Sequence, residues 1–273
     1  MSTVLDLLAI AREMKAAQDT ASQLEPLTGR LPGFDLAAAY EVADLIHQAR
    51  LEEGARPVGR KIGFTNPGMW SRYGVREPVW AYVYDTTVVY LDETRVKCRL
   101  ERFVEPKIEP EIVFGLRKVL RTGAGPAEIL DAIDWVAHGF EIVQSHFPGW
   151  RFQAPDTVAD WALHGTLLVG TPQPLQRLGS EVVAVLESFS LDLTCDDRLV
   201  ESGCGANVLG SPLYALGHLQ SVLAGQAKAL PLQAGEIVTT GTITAAHTVQ
   251  AGQTWHSALR GLALPGLTVE FLS

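Results

Sequence analysis

Residues 105–114 read Glu-Pro-Lys-Ile-Glu-Pro-Glu-Ile-Val-Phe, a run in which acidic side chains interrupt an apolar segment. Glu109 and Glu111 are two positions apart, so an extended backbone projects both carboxylates from one face while the apolar neighbours are buried. Two like charges side by side are destabilising unless a cation or a shared proton relieves them. Hard oxygen ligands on one strand suit Mg²⁺ or Mn²⁺, so this segment predicts part of a metal site.

A third carboxylate would complete the site, and Glu141 is the candidate. It lies inside another apolar, strand-like run, His138-Gly139-Phe140-Glu141-Ile142-Val143. The alternative is an edge strand whose glutamates face water, which is the more common environment for an isolated Glu-x-Glu. The second acidic residue within an apolar run favours the metal site.

The composition is that of an ordinary globular protein. The 273 residues include 22 Lys and Arg and 31 Asp and Glu, so the net charge is −9, without long charged runs. A nucleic-acid surface is therefore not expected. The first residues lack the pattern of a signal peptide and no stretch is apolar enough to span a membrane, so we expect a cytoplasmic protein. Cys98, Cys195 and Cys204 lack the spacing of a disulfide framework or a zinc site.

Helical and β-rich patterns divide the chain into two parts. Helical spacing of apolar residues predicts helices over about 3–23 and 36–52, the second capped by Asp35. Beyond them β-prone runs dominate, with further helices predicted at about 126–135 and 212–223. The glycine-punctuated strands of the last third indicate a β-roll or barrel-like sheet. We therefore predict an α+β protein with a helical subdomain over 1–57 and a β-rich catalytic domain over 58–273.

Two other residues are candidates for the site. Lys61 lies in a short predicted strand, Gly59-Arg60-Lys61-Ile62-Gly63, whose glycines would let the backbone approach a ligand. A solvent-exposed strand lysine is the alternative. Asp85 is the one acid in the β-prone run over 79–90, where it belongs either to a turn or to the site.

With these segments identified, the sequence resembles the fumarylacetoacetate hydrolase superfamily, in its branch of 2-keto-4-pentenoate hydratases and 4-oxalocrotonate decarboxylases. The resemblance extends over nearly the whole chain. The matching blocks are residues 59–65, Tyr84-Asp85, Ile108-Glu109-Pro110-Glu111-Ile112, Phe140-Glu141-Ile142-Val143, residues 156–160, residues 205–212 and residues 234–241.

The resemblance implies a mixed β-roll and a divalent metal, Mg²⁺ or Mn²⁺, held by Glu109, Glu111 and Glu141. It also implies a 2-oxo or 2-hydroxy acid that chelates the metal, with Lys61 and Asp85 close to the reacting carbons. Thr242 is similar to a position that hydrogen-bonds the substrate carboxylate, although a structural threonine beside a turn would look the same. We also expect a homo-oligomer that binds neither nucleic acid nor membrane.

One departure from the branch concerns the reaction. Where the branch continues from Val-Ala-Asp into an Asn-Ala-Ser-Ser-Gly-like run, this chain has Asp160-Trp161-Ala162-Leu163-His164-Gly165. Histidine can act as a general base on water at neutral pH, which serine cannot. His164 is therefore predicted to activate water in a C–C hydrolase. A buried structural histidine is the alternative, and other histidines compete for the role, namely His138, His146 and His247.

Arginines among aromatic or glycine residues suggest how a second carboxylate could be bound. Arg72 and Arg151 are the candidates, with Arg76 in a similar setting. An arginine in an aromatic pocket suits bidentate binding of a carboxylate, so these residues favour a dicarboxylate substrate. Exposed arginines stacked on tryptophan would give the same pattern.

These observations predict a metal-dependent hydrolase that splits an acylpyruvate, such as maleylpyruvate, into pyruvate and a carboxylic acid. The alternative is a lyase that hydrates a 2-hydroxydienoate or decarboxylates an oxalocrotonate-like acid. A catalytically silent small-molecule binder is a third hypothesis. The presence of all three metal carboxylates with Lys61 and Asp85 argues against it.

Overall fold

The computed structural model describes residues 5–73, 75 and 77–273, apart from the side chains at 69, 72 and 73. Asp35 caps α3 by accepting a hydrogen bond from the Ala38 N–H at 2.9 Å, as predicted. The helices are α1 (Leu7–Thr20), α2 (Leu27–Arg30), α3 (Leu36–Glu52), α4 (Trp70–Tyr73), α5 (Pro126–Ala132), α6 (Ala154–Ala159), α7 (Val182–Ser188) and α8 (Pro212–Ala224).

The strands of the described chain form two mixed sheets. They are β1 (Pro57–Gly63), β2 (Val79–Tyr84), β3 (Val88–Tyr90), β4 (Arg95–Arg99), β5 (Lys107–Leu116), β6 (Ile133–Val143), β7 (His164–Val169), β8 (Gln173–Pro174), β9 (Ser190–Cys195), β10 (Arg198–Cys204), β11 (Ile237–Thr242), β12 (His247–Thr248), β13 (Thr254–Arg260) and β14 (Thr268–Leu272). The first sheet has the order β2-β1-β11-β5-β6-β7-β3, with β12 beside β5 and β8 beside β6. The second has the order β10-β9-β13-β14-β4.

The register of the first sheet brings the predicted site residues together. β5 and β6 are antiparallel and pair Glu109 with Glu141. β11 lies on the other side of β5 and pairs Thr242 with Glu111, and β1 runs parallel to β11 with Lys61 opposite Thr239. Residues far apart in sequence therefore meet because four neighbouring strands place them on one face of the sheet, within a few residues of one another along the strands.

The N-terminal helices do not form a core of their own. Their buried side chains, including Met14 and Val42, cluster with residues of the β-rich part, including Val79, Phe147 and Val158. The change from helix to strand falls between Glu52 and Pro57, close to the predicted boundary. The division into a 1–57 subdomain and a 58–273 catalytic domain stays a prediction.

The α+β class with mixed sheets agrees with the sequence prediction, but two elements differ. The helix predicted over about 126–135 ends at Ala132, because the next residues begin β6, whose apolar side chains are buried on both faces of the sheet. The β-prone run over 79–90 is divided into β2 and β3 by a turn at Asp85. Among the helices of the described chain, none is long and apolar enough to cross a bilayer.

Candidate active site

The three predicted metal ligands converge. Glu109 and Glu111 come from β5 and Glu141 from β6, and each offers a carboxylate oxygen within 4.8 Å of the others. Glu111 and Glu141 are buried, whereas Glu109 retains partial contact with solvent. Three carboxylates so close together in a desolvated place repel one another unless a cation or protons neutralise them.

Neighbouring donors hold one oxygen of each buried carboxylate. Oε2 of Glu111 accepts hydrogen bonds from the Thr239 hydroxyl and, at 2.8 Å, from the Gly241 N–H. Oε1 of Glu141 lies 2.9 Å from Lys61 Nζ and 2.6 Å from His164 Nδ1. Such donors fix the orientation of a ligating carboxylate.

The other oxygen of Glu141 provides a test of whether the residues fit a metal. Oε2 of Glu141 is buried and has no hydrogen-bond partner. A buried carboxylate oxygen without a donor is costly, and a divalent cation would satisfy it. Three oxygen ligands contribute −3 and leave positions for water or substrate, so the residues fit Mg²⁺ or Mn²⁺.

The charges of the cluster shift its pKa values in opposite directions. Burial and the neighbouring Glu141 raise the pKa of Glu109 to about 7, and the same effects raise the pKa of Glu111. Burial opposes ionisation of Glu141 as well, but Lys61 and His164 outweigh it and lower its pKa to about 2. Burial tends to lower the pKa of Lys61, yet the three carboxylates raise it, so the lysine is charged. Without a cation, the cluster holds protons that a metal would displace.

A cavity opens beside the cluster, and both polar and apolar side chains line it. It measures about 60 Å³, and it is lined by Lys61, Gly63, Phe64, Thr65, Asn66, Glu109, Glu111, Val143, Trp150, Phe152, Ala162, Leu163, Gly241, Thr242, Ala245 and Ala246. The described chain has a larger cavity of about 440 Å³ elsewhere, but its lining includes none of the clustered carboxylates. The smaller cavity is therefore the candidate active site.

Two hydroxyls in this cavity are available to a ligand. The side-chain oxygens of Thr65 and Thr242 are buried and have no hydrogen-bond partner. The structure thus brings Thr242 to the site, and it adds Thr65, which the sequence analysis did not single out although it closes the block over 59–65. Gly241 has φ +94°, and a Cβ there would lie 1.8 Å from the Thr65 hydroxyl, so glycine is required at this position.

His164, predicted as the base that activates water, lies beside Glu141 and does not line the cavity. Its Nδ1 donates to Glu141 Oε1 at 2.6 Å, and its Nε2 lies 2.9 Å from the Thr87 hydroxyl. Burial lowers its pKa, so the ring is neutral and Nε2 accepts that second hydrogen bond. Because both ring nitrogens are engaged and the residue does not line the cavity, this placement favours orientation of Glu141, and the activation of water by His164 stays a prediction.

The other histidines do not line the cavity either. His138 bonds the Glu111 carbonyl and Ser257 at 3.0 and 2.7 Å, and burial lowers its pKa to about 4. His146 is buried against Asp160, and His247 pairs with Glu201. The described residues thus present no histidine to the cavity.

Two further predicted residues do not join the site in the described structure. Asp85 is exposed in the turn after β2, where its carboxylate accepts a hydrogen bond from the Arg56 N–H at 2.9 Å. This placement fits a turn residue, the alternative that its sequence left open, and a role of Asp85 in the site stays a prediction. Arg151 is exposed and does not line the cavity, although its neighbours Trp150 and Phe152 do. Arg72 belongs to α4, but its side chain lies outside the described part of the chain, as does Arg76.

Comparison with known proteins agrees with this geometry. The fumarylacetoacetate (FAA) hydrolase C-terminal family matches residues 71–267. A 4-oxalocrotonate decarboxylase from Pseudomonas sp is 33% identical over 237 residues, which cover 86% of this chain and 88% of that protein. A 2-hydroxyhexa-2,4-dienoate hydratase from Comamonas testosteroni is 30% identical over 246 residues, which cover 89% of each chain.

Solved structures show the same fold. The 4-oxalocrotonate decarboxylase from Pseudomonas putida G7, complexed with magnesium and adipate, superposes over the whole of both chains with a TM-score of 0.89 and 26% identity. A fumarylpyruvate hydrolase from Pseudomonas aeruginosa, in complex with Mn²⁺ and pyruvate, gives a TM-score of 0.59 at 14% identity over 80% of this chain and 89% of that one, and shows the fold alone. The metals in these proteins are of the kind that the sequence predicted for this chain. The chain therefore belongs to the fumarylacetoacetate hydrolase family, and the predicted resemblance and fold class are confirmed.

Proposed function

We propose that the protein is a divalent-metal-dependent lyase that decarboxylates a 2-oxo-enedioic acid of the 4-oxalocrotonate type. One observation carries this proposal. In the described chain, the titratable side chains that line the cavity are Lys61, Glu109 and Glu111. The two glutamates are proposed metal ligands, and Lys61 is paired with Glu141. Such a site offers an electron sink, but it has no separate base for water. Loss of CO₂ needs an electron sink but no base that activates water.

Glu109, Glu111 and Glu141 would hold the ion, and Mg²⁺ or Mn²⁺ would supply a Lewis acid that polarises the 2-oxo group of a chelating substrate. The hydroxyls of Thr65 and Thr242, which lack partners, would donate to the carboxylate next to that oxo group. Lys61 places a positive charge within 2.9 Å of Glu141, at the level where negative charge develops.

The reaction balances with these groups alone. The carbon–carbon bond to the distal carboxylate breaks, and its electron pair moves through the conjugated chain to the 2-oxo oxygen. The Lys61 ammonium donates a proton to that oxygen and regains one from solvent, so the products are CO₂ and a 2-hydroxydienoic acid. Phe64, Val143 and Phe152 also line the cavity, and an apolar surrounding disfavours the distal carboxylate relative to neutral CO₂.

The relatives support a lyase more than the acylpyruvate hydrolase that the sequence predicted. The hydrolase interpretation depended on His164 as a base, and both nitrogens of this residue are engaged. Relatives named as hydratases, including 2-keto-4-pentenoate hydratase 1 from Dechloromonas aromatica at 30% identity, favour hydration of a 2-hydroxydienoate as the second candidate. Hydration passes through the same enolate but needs a water molecule on the apolar side. A homo-oligomer remains part of the proposal.

Product analysis tests the proposal. Mg²⁺-loaded protein is incubated separately with 4-oxalocrotonate, 2-hydroxypenta-2,4-dienoate and maleylpyruvate, and the products are identified by mass spectrometry with CO₂ measured in parallel. The Glu109→Gln variant is the control for adventitious metal catalysis. We expect CO₂ from the first substrate, released by the wild type and not by the variant. Addition of water to the dienoate without CO₂ release would favour the hydratase, and pyruvate formed only from maleylpyruvate would overturn the lyase assignment.

A further inference from the structure

A second cavity, of about 440 Å³, lies between α3, β2 and the segment after α8. Pockets for small molecules in proteins measure about 300–1,000 Å³, so this one is large enough for a ligand. Its lining includes none of the clustered carboxylates or Lys61. Its wall is rich in aromatic rings, from Tyr40, His47, Trp80, Tyr82, Tyr84 and Trp161.

The alternation of β2 explains why these rings share one face. Trp80, Tyr82 and Tyr84 are two positions apart, so their side chains project from the same side of the strand. Lys61 pairs with Ala81, whereas Arg60 pairs with Tyr82, so the aromatic side of β2 is the side opposite Lys61. The cavity and the metal cluster therefore lie on different faces of the first sheet.

Ring contacts hold this wall in a fixed shape. The centroids of His47 and Tyr82 are 4.0 Å apart with nearly parallel planes, and Tyr84 and Trp161 are 5.4 Å apart. The Trp161 indole N–H also donates to the Tyr82 carbonyl at 2.7 Å. Flat faces set in such an array offer stacking surfaces to a planar ring.

Arg50 brings a side-chain donor without an acceptor to the wall of the cavity. Its guanidinium lies 4.3 Å from the centroid of Trp161, and its terminal nitrogens bond Gln18 and Asp19 at 2.7 and 3.4 Å. Its Nε–H is buried and has no acceptor. A buried donor of a charged group without a partner is costly, and an anionic oxygen would satisfy it.

The charged side chains of the described wall sum to a net charge of zero, with Glu41 and Asp44 against Arg50 and Lys228. Glu41 and Asp44 line the cavity, but Lys228 pairs with both, at 2.5 and 3.8 Å. Burial lowers the pKa of His47, so this ring adds no charge at neutral pH. Among the described residues of the wall, the Arg50 Nε–H is thus the buried side-chain donor that has no hydrogen-bond acceptor.

We propose that this cavity is a second small-molecule site, which binds a planar aromatic carboxylate with its ring against the tyrosine and tryptophan faces and its carboxylate on Arg50 Nε. The occupant is a monoanion, because the described wall offers one donor without a partner. The site is separate from the metal centre and does not require metal for binding.

Isothermal titration of the metal-free protein with benzoate tests the proposal. Benzamide serves as the uncharged planar probe, and cyclohexanecarboxylate as the charged probe without a flat ring. We expect saturable binding of about one benzoate per chain. Benzamide should bind at least about tenfold more weakly, because it lacks the charged acceptor for Arg50. Cyclohexanecarboxylate should bind about two- to tenfold more weakly, because it lacks the flat ring. Absence of saturable benzoate binding overturns the proposal.

Variants locate the binding. Arg50→Gln removes the charge and Ala43→Phe fills the cavity, and each is expected to weaken benzoate binding at least about tenfold. Arg99→Gln, which removes an exposed arginine of β4, and Glu109→Gln, which alters the other cavity, are expected to bind as the wild type does. Circular dichroism and thermal unfolding verify that each variant is folded. If Ala43→Phe does not fold, the benzoate affinity of Arg50→Gln tests the location of the site. Wild-type affinity in Arg50→Gln, or loss of binding in Glu109→Gln, contradicts the assignment.

Discussion

Replacement of His164 by alanine distinguishes orientation of a metal ligand from activation of water. In the structure Glu141 Oε1 has two donors, His164 Nδ1 at 2.6 Å and Lys61 Nζ at 2.9 Å. His164→Ala removes one of them and leaves the second. Loss of a partner that orients a ligating carboxylate usually costs about 10–100-fold in metal affinity or activity. We therefore expect Mg²⁺ or Mn²⁺ to bind about 10–100-fold more weakly, which corresponds to about 1.4–2.7 kcal/mol.

The assay separates affinity from chemistry. Mn²⁺ affinity is measured by titration calorimetry, and turnover of the accepted substrate is followed over a range of metal concentrations. Saturating metal should restore the turnover number of His164→Ala to within about tenfold of the wild-type value, because the reacting atoms do not contact His164. Thr87→Val is the matched control, since it removes the partner of the other ring nitrogen and should affect metal binding less.

A base that activates water behaves differently. Removal of such a base lowers turnover by about 10²–10⁴-fold at every metal concentration. Unchanged Mn²⁺ affinity in His164→Ala together with a turnover number at least about 100-fold lower at saturating metal would refute the orienting role. That result would restore the water-activating interpretation drawn from the sequence.

Lys61→Met should lower the turnover number at least about 100-fold, because we propose its buried ammonium as the proton donor, whereas Lys97→Met on an exposed strand should not. Equal turnover in both variants would exclude this role. Metal affinity should rise with pH up to about 7 and fall about tenfold per unit below it for each proton displaced, because the raised pKa of Glu109 makes protons compete with the cation. Calorimetry with Mn²⁺ at several pH values measures this slope, and pH-independent affinity would contradict it. Asp85→Asn should change kcat/KM by no more than about twofold, as expected for an exposed turn residue. A tenfold loss would return Asp85 to the mechanism.

Much of the site could be predicted from sequence because it is built from strand alternation. Glu109 and Glu111 share a face by their spacing, and the apolar run around Glu141 indicates a buried strand. The glycines around Lys61 made it a candidate for the site, and the structure places its ammonium 2.9 Å from Glu141. Residue spacing and flanking residues are features of the local sequence, so these parts of the site can be predicted from it.

The position of His164 depends on features that the pattern does not contain. It follows a turn in which Trp161, Ala162 and Leu163 all have positive φ, of 55°, 47° and 64°. Non-glycine residues rarely adopt this conformation, so nothing local predicts that the turn directs His164 behind Glu141 rather than into the cavity. Thr239 was also missed, because it reaches Glu111 only through the pairing of β11 with β5. Such contacts are set by tertiary structure.

The most direct measurement is anomalous diffraction from crystals grown with Mn²⁺ and oxalate, a planar mimic of the enolate of a 2-oxo acid. We predict one manganese peak, bound by a carboxylate oxygen from each of Glu109, Glu111 and Glu141 at about 2.0–2.3 Å and chelated by oxalate. Oxalate should also accept hydrogen bonds from Lys61 or the Thr242 hydroxyl. Manganese bound elsewhere, or these three carboxylates without metal at saturating Mn²⁺, would contradict the proposed metal centre and the chemistry that depends on it.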